Sequence, residues 1–421
     1  MTILIEATLR VDFAMQATNR YPAIPVEVPA EADSFEVFLE GADGVDGLVI
    51  DLGCEAPNRW CGWSGGSRRH FVVGQNDATP GYLPGIEPGT WHVILGVHTV
   101  PPQGAELTVR VVSPAWNAAD HGPVAEPIQR TVRGSDRGLP APAGLTWYAG
   151  DLHAHSLHSD GDLSLSQLAN EAVASGLDYL AVTEHNTTSH HAHLAALGQR
   201  HGIALLPGQE ITTHRGHANA YGRIGFIDFR LPGQEWVDET ARRGGFMSVN
   251  HPVDADCAWL HRLEHTPGGA ELWHGSWYRD MHFNGPLAWF EGWDRRAVLL
   301  GGGDFHNYST PLRPGMPTTW IAAEECSEEA LLEGLAAGLT TITSAAVIGP
   351  DGAARPILHG SPALIRQGEE LHALDAAGLV LVSGVGEREF LVSASEPVAA
   401  PIENGPYRIE DSLRRTLALC R

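Results

Sequence analysis

Along residues 1 to about 112, short apolar or alternating runs recur between turn signals. The runs are "SFEVFLEG", "GLVIDLG", "HFVVG", "TWHVILGVHTV" and "AELTVRVV", and stretches such as "PGIEPG" and "PPQG" separate them. A period of two gives each strand one face for a core, and Gly and Pro mark the turns between strands. The pattern predicts an all-β, sandwich-like domain over 1–112. Residues 113–146, with "HGPVAEPIQ" and "GLPAPAG", are rich in Pro, Gly and polar residues and read as a linker. From 147 to 345 the texture changes, and short apolar runs alternate with helical segments such as "LSLSQLANEAVASGL" and "SEEALLEGLAAG". Such alternation is what βα units produce, so the class predicted here is α/β. Residues 346–421 turn strand-like again in "LVLVSG" and "REFLVSAS", which predicts a small β-rich C-terminal region.

Composition narrows the function classes. The 421 residues are too many for one ordinary core, which is why two or three domains are expected. The chain has no lysine, which removes a Walker lysine, a Schiff-base lysine and a Ser-Lys pair. A net charge of −24, with arginine pairs scattered along the chain, argues against long nucleic acid as a partner. No run approaches the roughly 18 apolar residues of a membrane span. "MTILIEATLRVDF" has neither a basic n-region nor a continuous apolar h-region, so the expected setting is cytoplasmic, without membrane association. The five cysteines are odd in number and lack a CxxC spacing, and they read as reduced and structural. A homo-oligomer stays open.

Histidine carries the candidate chemistry: 16 of the 22 lie between residues 153 and 306. "LTWYAGDLHAH" ends in His153 and His155, and "DYLAVTEHN" in Glu184, His185 and Asn186. "IALLPGQE" ends in Glu210, "GGFMSVNHP" in His251, and "AVLLGGGDFH" in Asp304 and His306. Each is a short apolar run, the pattern of a buried parallel strand, followed at once by a metal-ligand type. In a barrel of parallel strands such positions converge on the C-terminal face, so five runs deliver their ligands to one place. Residues two apart on a strand point to one side, which groups His153 with His155 and Asp304 with His306. The proline after His251 predicts an extended backbone at that histidine. A lone HxH is more often surface or satisfied core. It is the repetition at five strand ends that points to metal.

"GDLHAHSLHSDG", "AVTEHN", "LPGQEITT", "GHAN", "NHP", "ELWHGSW" and "GGGDFH", in that order, resemble the polymerase-and-histidinol-phosphatase (PHP) metallohydrolases, and within them the carbaryl-hydrolase-like branch. The resemblance covers about residues 148 to 345 and implies a distorted, TIM-like (β/α)7 barrel there. It implies a first metal on His153, His155, Glu210 and Asp304. Glu210 would bridge to a second metal on His217 and His251, and Asp160, His185 and His306 would hold a third. Glu210, Asp304 and His185 are the candidate catalytic groups. Two positions depart from the family pattern: Glu184 stands where Asp usually precedes the histidine, and Gly303 where Ser often precedes the Asp-x-His. Both bear on what surrounds the ligands more than on the ligands themselves.

Other residues rank lower. His158 reads as a substrate contact or a solvated loop residue, and His190, His191 and His193 as an exposed helix start. His214 follows the bridging glutamate closely and is a pocket candidate. Arg215 and Arg313 are candidates for holding an anionic group, or else simply exposed arginines. Between the His251 and Asp304 motifs lie Trp259, Trp273, Trp277, Tyr278, Trp289 and Trp293. Trp289 and Trp293 stand at i and i+4 of a predicted helix, and Trp259 or Trp277 is expected to meet substrate or to pack.

The leading expectation is a metal-dependent hydrolase of small-molecule esters, with two or three divalent ions (Zn, Mn or Fe) activating water. Phosphate mono- or diesters rank first and carboxylic esters or carbamates second. A binding protein with a vestigial centre, whose sandwich holds a glycan or a partner, is the rival from another class.

Overall fold

Among the described residues, eight antiparallel strands build the N-terminal region as two facing sheets. One holds Thr2–Val11, Ala105–Ser113, Ser34–Glu40 and His70–Gly74 in that order, and the other Ala23–Val28, Gly89–Thr99, Val49–Ala56 and Arg59–Trp63. The computed structural model describes residues 2–130, 132–393 and 397–421. The inward faces of both sheets share one core, with Val37, Phe71, Val109 and Val111 from the first and Ile50, Leu52, Val93 and Leu95 from the second. The predicted sandwich is therefore present, with Thr2–Val11, Ala23–Val28 and Arg59–Trp63 as additions to the strands expected from sequence. Where the chain leaves the sandwich, the buried Glu36 carboxylate accepts from the backbone N–H groups of Trp116 (2.8 Å) and Asn117 (3.2 Å) and from the Asn117 amide (2.6 Å). A buried carboxylate without such donors would be costly.

The chain forms two compact units, residues 1–123, 155–164 and 184–192 in one and residues 124–154, 165–183 and 193–421 in the other. The second unit carries a sheet of thirteen strands among the described residues. Its order runs Val298–Gly302, Gly269–His274, Phe246–Val249, Gly216–Tyr221, Ala204–Thr213, Tyr179–His185, Thr146–Asp151, Thr318–Ala323 and Thr340–Thr343, then continues into the C-terminal strands. The class is mixed α/β, as expected, but the sheet is not uniformly parallel. Ala204–Thr213 pairs antiparallel with Gly216–Tyr221, and that strand antiparallel with Phe246–Val249. Only His214 and Arg215 separate the first pair, and two residues can close a hairpin but not the crossover that parallel strands need.

The sheet curls until strands distant in its order meet. Thr319 Oγ1 accepts from Gly301 N (2.8 Å) and donates to Gly301 O (2.7 Å), while Thr340 Oγ1 donates to Leu299 O (3.0 Å). Leu152, Tyr179, Leu206, Tyr221, Leu300 and Ile321 fill the core with Leu331 and Leu335 of the helix Glu328–Ala336. That helix starts where the sequence placed it, with the Ser327 hydroxyl accepting from Ala330 N. Leu165–Ala174, the other predicted helix, buries Leu168, Ala169, Ala172 and Val173 along one stripe.

Of the residues 113–146 expected as a linker, Ser113 ends the strand Ala105–Ser113, Gly134–Arg137 form a 3-10 turn and Thr146 opens the strand Thr146–Asp151, and the other described residues hold no helix or strand. The C-terminal region is β-rich, but Thr416–Cys420 pairs with Thr340–Thr343 and so extends the main sheet. The run expected over 388–395 is a strand at Arg388–Phe390, and its positions 394–395 lie outside the described residues. Among the described residues no helix is long and apolar enough to cross a membrane.

Candidate metal centre

In the second unit the strand Thr146–Asp151 stops at a buried carboxylate that organises the turns beyond it. Asp151 accepts from the backbone N–H groups of His153 (3.1 Å), Gly303 (2.8 Å) and Gly315 (2.7 Å). Burial pushes its pKa up to about 6 against the pull of those three donors. One side chain thus fastens the turn of His153 to the turn of Asp304. The departure at Gly303 has a steric cause, because a Cβ there would lie 2.5 Å from Asp151 Oδ2.

Four strand ends bring ligand types together around Glu210. Its Oε1 lies 3.2 Å from His153 Nε2, 3.2 Å from His217 Nδ1 and 3.3 Å from His251 Nε2, and accepts from the Asn250 amide at 2.8 Å. Asp304 Oδ1 stands 3.2 Å from His153 Nε2. Five predicted residues of this unit, His153, Glu210, His217, His251 and Asp304, therefore share one place. The extended backbone expected at His251 is not found: its φ is +26°, and Asp304 has φ +52°. Pro252 sets a preference on His251, but the tertiary contact of its N–H with Glu271 Oε2 (2.9 Å) overrides it.

Two residues of the centre were missed in the sequence. Glu271 Oε1 lies 3.0 Å from His153 Nδ1, and His274 ends the same strand, every residue of which is buried. His153, His251, Glu271 and His274 each offer a ligand atom within 4.8 Å of the others. The strand-end rule applied to "GGAELWH" would have found His274, and a carboxylate inside so buried a strand was the signal for Glu271.

In the first unit His155, Asp160 and His185 gather. The His155 and His185 rings stack at 4.3 Å, and His185 Nε2 lies 3.5 Å from Asp160 Oδ1. Glu184 is fully buried and accepts from Ser156 N (3.0 Å), Ser156 Oγ (2.5 Å) and Ser159 Oγ (2.5 Å). Burial raises its pKa to about 7, against the pull of those hydroxyls. The Glu that stands here in place of Asp thus ties down the loop between His155 and Asp160. His158 is buried, not solvated, and its Nδ1 lies 2.8 Å from Ser189 Oγ. His190 is also buried, whereas His193 is exposed as expected, in the helix His191–His201.

A cavity of about 550 Å³ opens in the second unit, lined among others by His274, Ser276, Arg279, Asp304, His306 and Arg313. Arg313 spends Nη1 on the carbonyls of Thr310, Pro311 and Leu312 and lies over the Tyr308 ring. His214 and Arg215 form the exposed hairpin loop, with Arg215 Nη2 donating to Leu260 O at 2.8 Å. Neither expected aromatic lines the cavity: Trp277 packs edge-on against Trp273 in a core cluster, and Trp259 against Trp236 and His261. Trp289 and Trp293 stack at 4.5 Å, although their helix, Gly285–Phe290, ends before Trp293.

The chemistry of this donor set fits divalent metal. Burial alone would lower the pKa of His153, but Asp304, Glu271 and Glu210 hold it well above the ordinary value; His251 is likewise raised, chiefly by Glu210. A buried site whose carboxylates call for positive charge, and whose imidazoles converge nitrogen atoms on it, suits a cation with nitrogen and oxygen ligands. His251 Nδ1 is buried and makes no hydrogen bond among the described residues.

Residues 151–256 match the family described as the PHP domain. A phosphoribosyl 1,2-cyclic phosphate 1,2-diphosphodiesterase of Eggerthella lenta is 36% identical over 64 residues, covering 15% of this chain and 24% of that protein. A 3',5'-nucleoside bisphosphate phosphatase of Chromobacterium violaceum is 39% identical over 66 residues, 16% of this chain and 23% of that one. The chain spans about a quarter of the length of these curated relatives. A solved two-domain protein from Bacteroides vulgatus, described as containing a predicted PHP-like metal-dependent phosphoesterase, is 18% identical. The alignment covers 70% of this chain and 91% of that one, with a TM-score of 0.40.

Proposed function

We propose that the chain is a metal-dependent phosphoesterase acting on small phosphate mono- or diesters, with a distorted (β/α)7 catalytic body over about 147–345 and a cytoplasmic setting. The observation that carries this reading is Glu210, one carboxylate oxygen of which stands within 3.3 Å of nitrogens on His153, His217 and His251. These residues and Asp304 are the proposed ligands, and by their motifs His155, Asp160, His185 and His306 take ligand roles too. Divalent ions bound there would acidify a water and stabilise charge on the phosphoryl oxygens. The chain's part is to hold its imidazoles and carboxylates in place, through Asp151 and Glu271 in particular, and to leave the neighbouring cavity open to substrate. The match to the PHP domain and the names of the phosphatase and diphosphodiesterase relatives support the reaction class. The carbaryl-hydrolase-like branch rests on the motifs alone.

The test is metal analysis of the purified protein together with turnover of a phosphomonoester, a phosphodiester and a carboxylic ester, with and without chelator. Chelator-sensitive phosphoester turnover is expected. In Asp160→Ala, phosphoester kcat/KM should fall about tenfold further than carboxylic ester kcat/KM, because an added cation serves phosphoryl oxygens that a planar carbonyl lacks. Carboxylic ester turnover that exceeds phosphoester turnover and falls equally in the variant would replace this reading with ester or carbamate hydrolysis.

A further inference from the structure

We infer that His274 is not a metal ligand but a hydrogen-bond donor to a phosphate group held in the adjoining cavity, an inference that rests on the phosphoesterase reading and extends it to a substrate contact. The argument begins with the other end of the ring. His274 Nδ1 accepts from the backbone N–H of Ser276 at 3.2 Å and lies 2.9 Å from Ser276 Oγ. A backbone N–H only donates, so Nδ1 holds a lone pair and the proton of the neutral ring sits on Nε2. An Nε2 that carries a proton has no lone pair to give a metal.

His153 and His306 are arranged the opposite way. Their Nδ1 atoms face acceptors, Glu271 Oε1 at 3.0 Å and the Asp304 carbonyl at 2.9 Å. Those partners keep the proton on Nδ1 and leave the Nε2 lone pair for a cation. Three imidazoles of one unit thus divide by tautomer into two that suit metal and one that suits an acceptor.

The Nε2–H of His274 needs that acceptor. The side chain is 3% exposed, Nε2 makes no hydrogen bond among the described residues, and Asp304 Oδ2 is 3.4 Å away. A buried donor left unmade is unfavourable, so a ligand that brings an oxygen to this spot recovers the loss. His274 lines the cavity of about 550 Å³ together with Asp304, His306 and Arg279. A tetrahedral oxyanion that reaches from the cavity to the buried Nε2–H would make the missing bond, with Arg279 lining the same space.

The test compares wild type, His274→Asn and His274→Gln in metal-loaded protein, measuring metal content by elemental analysis and inorganic phosphate affinity by calorimetry. Asn keeps an oxygen where Nδ1 sits, which can still accept from Ser276 N, and loses the donor at Nε2. Gln keeps an amide donor near Nε2. The expected result is unchanged metal content in all three, phosphate affinity lower by about tenfold or more in His274→Asn, and affinity within about threefold of wild type in His274→Gln. Loss of an ion in His274→Asn would make His274 a ligand and overturn the inference. Equal phosphate affinity in wild type and His274→Asn, equal losses in both variants, or no phosphate binding by wild type would also overturn it. The phosphoesterase reading is judged apart from these, by phosphoester turnover of the wild type: turnover with phosphate affinity unchanged in the variants sinks this inference alone, and absence of turnover sinks the reading beneath it.

Discussion

Nδ1 of His153 lies 3.0 Å from Oε1 of Glu271, a residue 118 positions further along the chain, and both side chains are buried. The carboxylate orients the ring and holds a proton on Nδ1, so that a cation bound between His153, Glu210 and Asp304 would meet the lone pair of Nε2. The other oxygen of Glu271 accepts from His251 N, which holds a second proposed ligand by its backbone. Glu271→Gln removes the charge and loosens both contacts. Metal affinity measured by chelator competition should fall about 10- to 100-fold, with the fold retained by circular dichroism. An unchanged affinity would remove Glu271 from the site's support.

Glu210 is the hub of the same arrangement. Because one of its oxygens faces His153, His217 and His251, Glu210→Ala should lower metal content more than any other single ligand substitution in this unit. Elemental analysis of Glu210→Ala beside His217→Ala and His251→Ala decides this, and equal metal in Glu210→Ala and wild type would refute the assignment.

Cys257 follows His251 by six residues and is the thiol nearest in sequence to the proposed ligands. Burial, reinforced by the Asp256 charge, pushes its pKa up to about 12, so almost no thiolate exists near neutral pH. Cys257→Ser is therefore expected to retain wild-type phosphoester turnover. A loss of turnover with metal content intact would mean that the thiol takes part in the reaction.

In the N-terminal sandwich His98 Nε2 lies 2.5 Å from Asp51 Oδ2, which also accepts from Trp63 Nε1 at 3.0 Å. Burial alone would lower the pKa of His98, but the Asp51 charge and hydrogen bond outweigh it and hold the ring above its ordinary 6.5. A histidine whose folded pKa exceeds its unfolded value contributes stability that is complete below the unfolded pKa and lost as pH rises through the folded one. The urea midpoint of wild type should thus exceed that of His98→Asn by most near pH 5.5, the gap shrinking as pH rises past 6.5 and through the folded pKa. A gap that stays constant from pH 5.5 to 8.5 would contradict the pairing.

Local pattern and residue chemistry made much of this protein readable from sequence. Five sandwich strands, the helices Leu165–Ala174 and Glu328–Ala336, and the proposed ligands His153, Glu210, His251 and Asp304 follow from alternation, capping and ligand types at the ends of apolar runs. These signals are short-range, and the structure keeps them because buried strands and helix caps are specified by residues close in the chain. What tertiary structure decided depends on residues far apart. The hairpin at His214 and Arg215 set an antiparallel strand, Gly216–Tyr221, between two runs expected to be parallel, and packing drew Trp277 into the core and buried His158. The Glu271 carboxylate overrode the backbone preference that Pro252 sets on His251. Above all, the division of the imidazoles into lone-pair and proton-bearing Nε2 atoms was not written in any motif. A histidine's tautomer is set by whatever faces its second nitrogen: for His153 that partner stands 118 residues away, and for His274 it is an N–H presented only once the strand Gly269–His274 has ended in its turn.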